Sequence, residues 1–311
     1  MSSHKLTGEW YVQRQLQYVE EVTYGVTPTS PTFIHAGPIV DMNDNQEAQA
    51  IKYRQIGSRD LYAMIKTGEL YTFDVTFNPL NTDLLDYCIN VEGTGSRNIS
   101  KSLSFIKSQL VDGSEMYTIY TGCRAESVDI SIVADGAVEV TMTMMCKNIS
   151  TPSLTHGLGT VTWGTNPTSI PWTNFDGGTG PLRIHTNSTD AHGYASNEAI
   201  DTDNFTMSVT HNLVPVKVNG EITVKWVEAT LRDVTFEFDA LYYDTALISD
   251  QKSLTARGME YLLKTNPGAR LDFTDIYLET MGTSDSTTST DPKKLSFTGT
   301  AKSVVITPVT S

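Results

Sequence analysis

The sequence predicts a mainly β protein of the α+β class, built as two tandem β-sandwich units, each with a flanking helix. Several segments alternate apolar and polar residues with a period of two, and Asp-Gly or Asn-Gly dipeptides separate such segments as hairpin turns do. A faint internal repeat is the third observation, because a β-rich unit used twice is typically one that packs against copies of itself. The repeated order consists of Asp86-Tyr87-Cys88-Ile89, Leu103-Ser104-Phe105 and Ser127-Val128, which reappear as Glu260-Tyr261-Leu262-Leu263, Leu271-Asp272-Phe273 and Ser303-Val304. A second match, Leu295-Ser296-Phe297, leaves the register of the repeat open.

Length and composition agree with two ordinary domains. The chain has 311 residues, of which 39% are hydrophobic and 19% are charged, enough apolar residues for real cores. The predicted units are residues 1–150, with an exposed flap at about 41–59, and residues 151–311, which open with a Gly- and Thr-rich loop region, 151–203. An irregular connection of this length is typical of a functional loop or a linker.

Alternation and turn signals define the elements of the first unit. We expect a strand within residues 10–24 and, after the flap, a half-buried strand at 71–77 that Pro79 ends. Asn81, Thr82 or Asp83 can cap a short helix over 83–89. The strongest hairpin of this half spans 128–144 around Asp135-Gly136.

The second unit shows the same signals. Strands are predicted at 205–209 and 234–238, and the hairpin 214–226 turns at Asn219-Gly220. A helix is expected from about Asp250 to Lys264, where Asn266-Pro267-Gly268 stops it. Two last strands, at 271–278 and 295–306, are split by a Ser/Thr/Asp loop over 284–292.

No arrangement of residues predicts catalysis, a cofactor or a metal. There is no GxSxG turn, and the glycine-rich stretches lack the helix and lysine of a phosphate cradle. His185, Asp190 and His192 lie in one polar segment, which we interpret as solvated. Cys88, Cys123 and Cys146 lack CxxC spacing, so buried thiols are expected rather than a disulfide framework or a zinc site.

Net charge and hydropathy limit the kinds of partner that the sequence predicts. A net charge of −14 argues against a protein that grips nucleic acid through its phosphates, but it suits a surface that DNA slides past. The N-terminus has no apolar core of signal-peptide length, and no stretch approaches the length of a membrane helix. We therefore expect a protein made in a cytoplasm, without a membrane partner.

Four stretches resemble the major tail tube protein of long-tailed, siphovirus-like phages or proviruses. They are Tyr24-Gly25-Val26-Thr27-Pro28, Ser58-Arg59 before Gly68, the segment 120–130 with its Asp135-Gly136 hairpin, and the closing region 244–309. The resemblance implies subunits that form stacked rings, with hairpins closing an inter-subunit β-barrel around a lumen for DNA and the tape-measure protein. It also implies a place in the virion tail after assembly in the host cytoplasm, with tail terminator and tail-tip proteins as further partners. A doubled unit predicts a homotrimeric ring with pseudo-sixfold symmetry, and a hexameric ring is the alternative.

The resemblance also assigns candidate surfaces. The hairpins 128–144 and 214–226 are the expected barrel walls. The candidate lumen-facing residues are Asp129, Ser131, Glu139, Thr141 and Thr143. The candidate inter-subunit or inter-ring contacts are Asp44, Glu47, Arg54, Arg59, Trp163, Trp172, Val305 and Pro308.

A carbohydrate-binding or adhesin-like β-sandwich is the alternative function. Trp163 and Trp172 in a polar loop motivate it, because exposed tryptophans can form a sugar platform. An assembly contact is the other interpretation of the same two side chains.

Overall fold

A computed structural model of the chain describes most of the sequence. The described residues are 15–54, 59–111, 113–133, 136–165, 171–173, 181–185, 199–240, 245–265, 268–283 and 294–309. Strands dominate, so the prediction of a mainly β fold with two helices is confirmed for this part of the chain. No helix within these ranges is long and apolar enough to span a membrane.

The first half of the chain holds one helix between long strands. Its elements are β1 (Gln15–Glu20), β2 (Ile34–His35), β3 (Ile39–Arg54), β4 (Leu61–Phe77), α1 (Asp83–Ile89), β5 (Leu103–Val111), β6 (Ser114–Val133), β7 (Glu139–Cys146) and β8 (Asn148–Ile149).

The second half continues with the other helix and nine further strands. Its elements are β9 (Leu182–His185), β10 (Ala199–Ile200), β11 (Thr202–Thr210), β12 (Leu213–Val216), β13 (Trp226–Ala229), β14 (Asp233–Ala240), α2 (Thr245–Ser253), β15 (Arg257–Thr265), β16 (Gly268–Thr283) and β17 (Leu295–Val309).

Eight of these strands form one continuous antiparallel run, which we call the long sheet. Its order is β3-β4-β7-β6-β11-β14-β17-β16. The N-terminal part of β6 leaves the long sheet to pair with β5, and β5 pairs with β1. In the same way the N-terminal part of β16 pairs with β15, and β15 pairs with β9. Each half of the long sheet is thus backed by a smaller sheet, as in a β-sandwich.

Alternation along the long sheet explains its burial. On one face, valine, methionine and phenylalanine side chains are fully buried, including Val128, Met142, Phe205, Phe236 and Phe297. The intervening residues are mostly serine, threonine, aspartate and glutamate. Because side chains on a strand alternate between faces, this pattern fixes the register of each strand. The predicted strands at 71–77, 205–209, 234–238, 271–278 and 295–306 are confirmed.

The helix predicted over 83–89 is confirmed with the same ends. The backbone N–H of Asp83 donates to Asn81 Oδ1 at 3.1 Å, and Thr82 is the N-cap residue. Leu84, Leu85 and Cys88 are buried, and the helix packs onto the core beside β6 and β17.

The exposed flap predicted at 41–59 is a β-hairpin rather than an irregular loop. β3 pairs with β4 from Ile39 opposite Phe77 to Arg54 opposite Leu61. The prediction of exposure holds, since nearly every side chain between Asn43 and Arg54 is exposed or half-buried. The segment lacks one-sided alternation because it is solvated on both faces, and the strand was therefore not recognised.

The helix predicted from about Asp250 to Lys264 is also wrong. α2 ends at Ser253, and 257–265 is strand β15, which lies between β9 and β16. Residues 258–261 are all buried, including the carboxylate residue Glu260, so burial in this strand does not alternate between faces. Periodicity alone does not separate such a strand from a buried helix.

The hairpin predicted at 214–226 is only partly correct. β12 and β13 are antiparallel, but Val216 pairs with Trp226, and residues 217–225 form a longer connection than a two-residue turn. The pair is a separate two-stranded sheet outside the long sheet. It is therefore not part of the expected barrel wall.

The expectation of free thiols is wrong for one cysteine pair. Cys123 and Cys146 form a disulfide with a Cα–Cα distance of 4.0 Å, while Cys88 is a buried free thiol. Arg124 pairs with Met145, so the two cysteines face each other across β6 and β7. A spacing of 23 residues does not reveal this pairing until the register of the strands is known.

The residue-by-residue register of the internal repeat is wrong as well. It aligned Asp86-Tyr87-Cys88-Ile89, which lies in α1, with Glu260-Tyr261-Leu262-Leu263, which lies in β15. The strand pairings give another register, in which Thr72-Phe73-Asp74 of β4 corresponds to Thr235-Phe236-Glu237 of β14. Phe73 and Phe236 then hold equivalent positions in their strand pairs.

Candidate assembly surfaces

The outward face of the long sheet is mostly polar; Val133 of β6 and Tyr277 of β16, which faces Thr300, are its exposed apolar exceptions. Strand pairing places its residues in continuous rows, of which one runs Asp41, Thr76, Thr141, Asp129, Ser208, Thr235 and Thr300. A neighbouring row runs Glu139, Ser131, Thr206, Glu237, Thr298 and Thr280. None of these positions is a lysine or an arginine. The face therefore combines small hydroxyl side chains with negative charge.

Side-chain hydrogen bonds tie neighbouring strands together on this polar face. Thr143 Oγ1 donates to Asp74 Oδ1 at 2.7 Å, and Thr300 Oγ1 donates to Glu279 Oε1 at 2.8 Å. Thr76 and Thr141 share a hydroxyl hydrogen bond of 3.0 Å. Cross-strand pairs of this kind stabilise a sheet without apolar side chains.

The structure brings the five candidate lumen-facing residues together on the polar face. Asp129 and Ser131 are on β6, while Glu139, Thr141 and Thr143 are on β7. Asp129 and Glu139 are exposed, and the other three are half-buried. The face is concave here, with a depression of about 420 Å³ lined by β6, β7, β11, β14, β16 and β17 residues.

The outer part of the β3–β4 hairpin, residues 48–54 and 59–69, is a second exposed surface, which we call the arm. Its apolar side chains Ile51, Tyr53, Leu61, Tyr62, Met64 and Ile65 are all exposed, with Tyr62 at 75% and Met64 at 61%. Glu47 lies at its base, and Arg54 and Arg59 lie near its tip; all three are exposed. A concentration of exposed large apolar residues usually marks an interaction surface.

Asp44 makes intramolecular contacts at the base of the same hairpin. Its carboxylate accepts a hydrogen bond from Tyr120 Oη at 2.6 Å and forms an ion pair with Lys107. Burial, and next the hydrogen bond to Asp44, raise the pKa of Tyr120, so the phenol stays a donor. Asp44 therefore anchors β3 to the smaller sheet, and its side chain is already engaged.

The two candidate tryptophans occupy different environments. Trp163 is 40% exposed and stacks with Phe33 and with Tyr117, at centroid distances of 5.7 and 5.8 Å. Trp172 is only 2% exposed, so the expectation that it forms an exposed contact is wrong. Val138 N–H donates to the carbonyl of Trp172, which fixes it against the core.

These positions weaken the case for the carbohydrate-binding alternative. A sugar platform needs a free aromatic face, whereas Trp163 stacks with two of the chain's own rings. Trp172 is inside the protein.

The remaining candidate contacts lie in β17. Val305 is half-buried and faces Asp272 of β16. The backbone of Pro308 lies opposite Ala269. Both residues are in the part of β17 that is paired with the buried end of β16.

Histidine and acidic residues do not form a metal site in the described ranges. No group of three His, Cys, Asp or Glu residues suited to a metal ion occurs there. The interpretation of His185 as solvated is wrong, because it is buried in β9 with its Nε2 3.9 Å from Glu260 Oε2. Asp190 and His192 lie outside the described residues.

Sequence reasoning missed two features of these surfaces. The exposed apolar side chains of the arm gave no periodic signal, because they occur on both faces of the hairpin. The outer edge of β16 was also missed, since only the order of strands in the sheet reveals that it is an edge.

A polar concave sheet face, exposed strand edges and an apolar arm define a structural β protein with extended contact surfaces. Residues 12–301 match the phage tail tube protein family, and the chain belongs to this family. It is thus a structural component of a phage tail, and the resemblance to phage tail tube proteins is confirmed at the level of this family. A comparison with curated proteins finds no match.

Proposed function

We propose that the chain is the major tail tube protein of a long-tailed, siphovirus-like phage or provirus. Its copies assemble in the host cytoplasm into stacked rings, and the finished tube is the tail conduit for DNA and the tape-measure protein. The observation that carries this proposal is the long sheet, which is apolar on one face and mostly polar on the other, where a depression lies between β7 and β16.

The polar face lines the lumen in this proposal. Asp129 and Glu139 repel phosphates, while Ser131, Thr141 and Thr143 present small hydroxyl groups. An acidic wall keeps DNA from adhering, because binding to the phosphate backbone needs clustered lysine and arginine. DNA then passes without specific binding.

Three chains close the ring in this proposal. Residues 1–150 and 151–311 each supply four of the eight strands in the long sheet, so three chains give six similar units. Eight strands from each of three copies make 24 strands, and at about 4.8 Å between strands and a tilt of about 40° the backbone diameter is about 48 Å. Barrels of 16–18 strands already enclose water-filled channels. A six-chain ring is the alternative.

Ring stacking uses the arm, the loop region 151–203 and the C-terminal part of β17. The arm is the best supported of these, because its apolar side chains have no core to cover them. Tail terminator and tail-tip proteins cap the two ends of the stack. Trp163 and Val305 are subsidiary candidates, since each is partly exposed.

Negative-stain electron microscopy of the purified chain tests the proposed function. We expect rings or tubes with a stain-filled lumen, formed on concentration or on addition of the phage's tail-initiation proteins. A protein that remains monomeric in the presence of those proteins would contradict the proposal.

A charge reversal tests the lumen assignment separately. In Asp129→Lys combined with Glu237→Lys, both new lysines lie on the polar face, so assembled tubes should retain double-stranded DNA at 50 mM salt at least tenfold more strongly than wild type. Raising the salt to 300 mM should remove this gain. Glu92→Lys with Glu228→Lys is the control, because it changes the net charge equally at exposed positions off this face. Equal retention by the two variants would contradict the assignment.

A further inference from the structure

The two halves of the long sheet have the same strand pairings and the same β-bulges at matching positions. β3 and β4 shift register between Ile39 and Asp41, and β11 and β14 do so between Thr202 and Asn204. β6 and β7 shift between Ala125 and Ser127, and β16 and β17 do so between Leu278 and Thr280. Matching bulges fix a residue-level correspondence, because a bulge inserts one residue at a defined place.

The backbone conformation supports this correspondence at the point where β6 and β16 each pass from a smaller sheet into the long sheet. Gly122 of β6 and Asp275 of β16 both have positive φ, 65° and 49°. The next residue pairs with the start of the preceding strand in both halves, Cys123 with Leu103 and Ile276 with Arg257. In this register β3 corresponds to β11 and β6 corresponds to β16.

One strand pair inside the chain joins the two halves, and we call it the internal seam. β11 pairs with the outer part of β6, with Thr210 opposite Ser127, Val209 opposite Val128 and Ser208 opposite Asp129. The internal seam thus places the first long-sheet strand of one half on the outer edge of the other half.

The strands that correspond to the internal seam are the two ends of the long sheet. No described strand pairs with residues 277–283 of β16 on the side away from β17, and β3 pairs with β4 alone among the described strands. The equivalents of Thr210, Val209 and Ser208 are Glu47, Gln46 and Asn45. The equivalents of Ser127, Val128 and Asp129 are Thr280, Met281 and Gly282.

We propose that β3 of one copy adds antiparallel to the edge of β16 of a second copy in the register of the internal seam. Glu47 then faces Thr280, Gln46 faces Met281 and Asn45 faces Gly282 across the interface. The strand that pairs with the edge of β16 comes from a second copy of this chain, because the chain already contains one strand pair of this kind, the internal seam. We call such a pair a joint. This inference rests on the proposed ring and gives it a defined direction and register.

The side chains of β3 are suited to an edge that is open before assembly. Val209 and Met207 of β11 are buried at the internal seam, whereas their equivalents Gln46 and Asp44 are polar and exposed. Charged and polar residues on an edge strand oppose indiscriminate pairing. Backbone hydrogen bonds, with selective side-chain contacts, then provide the contact between copies.

Paired cysteine substitutions test the register in assembled rings. We expect Glu47→Cys with Thr280→Cys to form disulfides between chains under mild oxidation, giving a non-reducing gel ladder of dimer and trimer. At least half of the chains should become cross-linked. Asn45→Cys with Gly282→Cys is a second pair on the same face, should the first pair not fold; a side chain at Gly282 meets nothing closer than 3.8 Å.

Matched controls separate this inference from the proposed function. Ser127→Cys with Thr210→Cys is the equivalent pair at the internal seam and should form its disulfide within one chain. Each single cysteine variant should give no ladder. Rings that form normally without cross-linking of either pair, while the internal control is oxidised, would overturn the register and leave the tube function standing. Absence of rings would instead overturn the tube function itself.

Discussion

Asp86 is a carboxylate that the fold holds largely out of water at the buried side of α1. Burial raises its pKa from 3.8 to about 6, although Arg97 acts in the opposite direction. A raised folded-state pKa means that folding favours the protonated form. Asp86 therefore contributes most to the stability of the folded state below about pH 4, and this contribution is lost as the pH rises through 6.

We expect Asp86→Asn to stabilise the protein at pH 7 by about 1 kcal/mol, a value reduced for solvent screening. The amide keeps the shape of the side chain without its charge. Thermal melts should show a midpoint a few degrees higher at pH 7 and no difference from wild type at pH 4. Asp83→Asn is the control: it removes an ion pair with Arg97, so it should bring no gain. A lower midpoint for Asp86→Asn at pH 7 would contradict the assignment.

The disulfide has an apolar counterpart in the second half of the chain. Ile276 faces Ala301 at the position where Cys123 faces Cys146. We expect Cys123→Ile with Cys146→Ala to fold, because the second half packs the same site with these side chains.

Urea unfolding with and without reductant measures the contribution of the disulfide. Closing a loop of 23 residues is worth about 3 kcal/mol, so reduction should lower the free energy of unfolding of the wild type by about that amount. The double variant should be insensitive to reductant. Equal sensitivity of both proteins, or of neither, would contradict the pairing.

At the scale of elements, removal of the arm should impair ring stacking without affecting folding. Its described side chains between positions 51 and 67 are exposed or half-buried, so its outer part adds little to the core. We expect replacement of residues 50–66 by Asn-Gly to leave the melting temperature within about 2 °C of wild type. Rings should form, but they should not stack into tubes in electron micrographs. Tubes of normal length would contradict a role for the arm.

Point substitutions refine that prediction. Tyr62→Ser with Met64→Ser removes two exposed apolar side chains of the arm and should shorten the tubes severalfold. Val22→Ser with Leu231→Ser is the matched control, because both residues are exposed apolar side chains away from the arm. Shortening by both pairs to the same extent would indicate a general loss of solubility or packing instead.

The elements that the sequence predicted correctly share one physical property. Strands such as β11 and β14 lie with one face in the core and one in solvent, so alternation identifies them. β15 is buried on both faces and β3 is solvated on both, so in neither strand does burial alternate between the two faces. The secondary structure of those two segments is determined by their position in the tertiary fold rather than by local propensity.

The candidate surfaces were predictable to a similar degree. Asp129 to Thr143 could be found because a hairpin turn and alternation fix which side chains share a face. The disulfide, the arm and the edge of β16 depend on register between distant strands. Trp172 was assigned to the surface from its glycine-rich surroundings, although backbone hydrogen bonds hold it against the core.

At the scale of the whole molecule, the proposed ring of three chains uses one kind of strand pairing throughout. Each chain contains two similar halves and one internal seam, and we propose the same joint once more between copies. A closed ring of three chains then has six joints of one kind, three within chains and three between them. Closure also removes the exposed edges of the long sheet.

The number of chains in one ring tests this account most directly. We expect mass photometry of isolated rings, together with class averages from electron microscopy, to show three chains arranged with pseudo-sixfold symmetry. Six chains in a ring, or a ring whose averages lack six similar units, would contradict it.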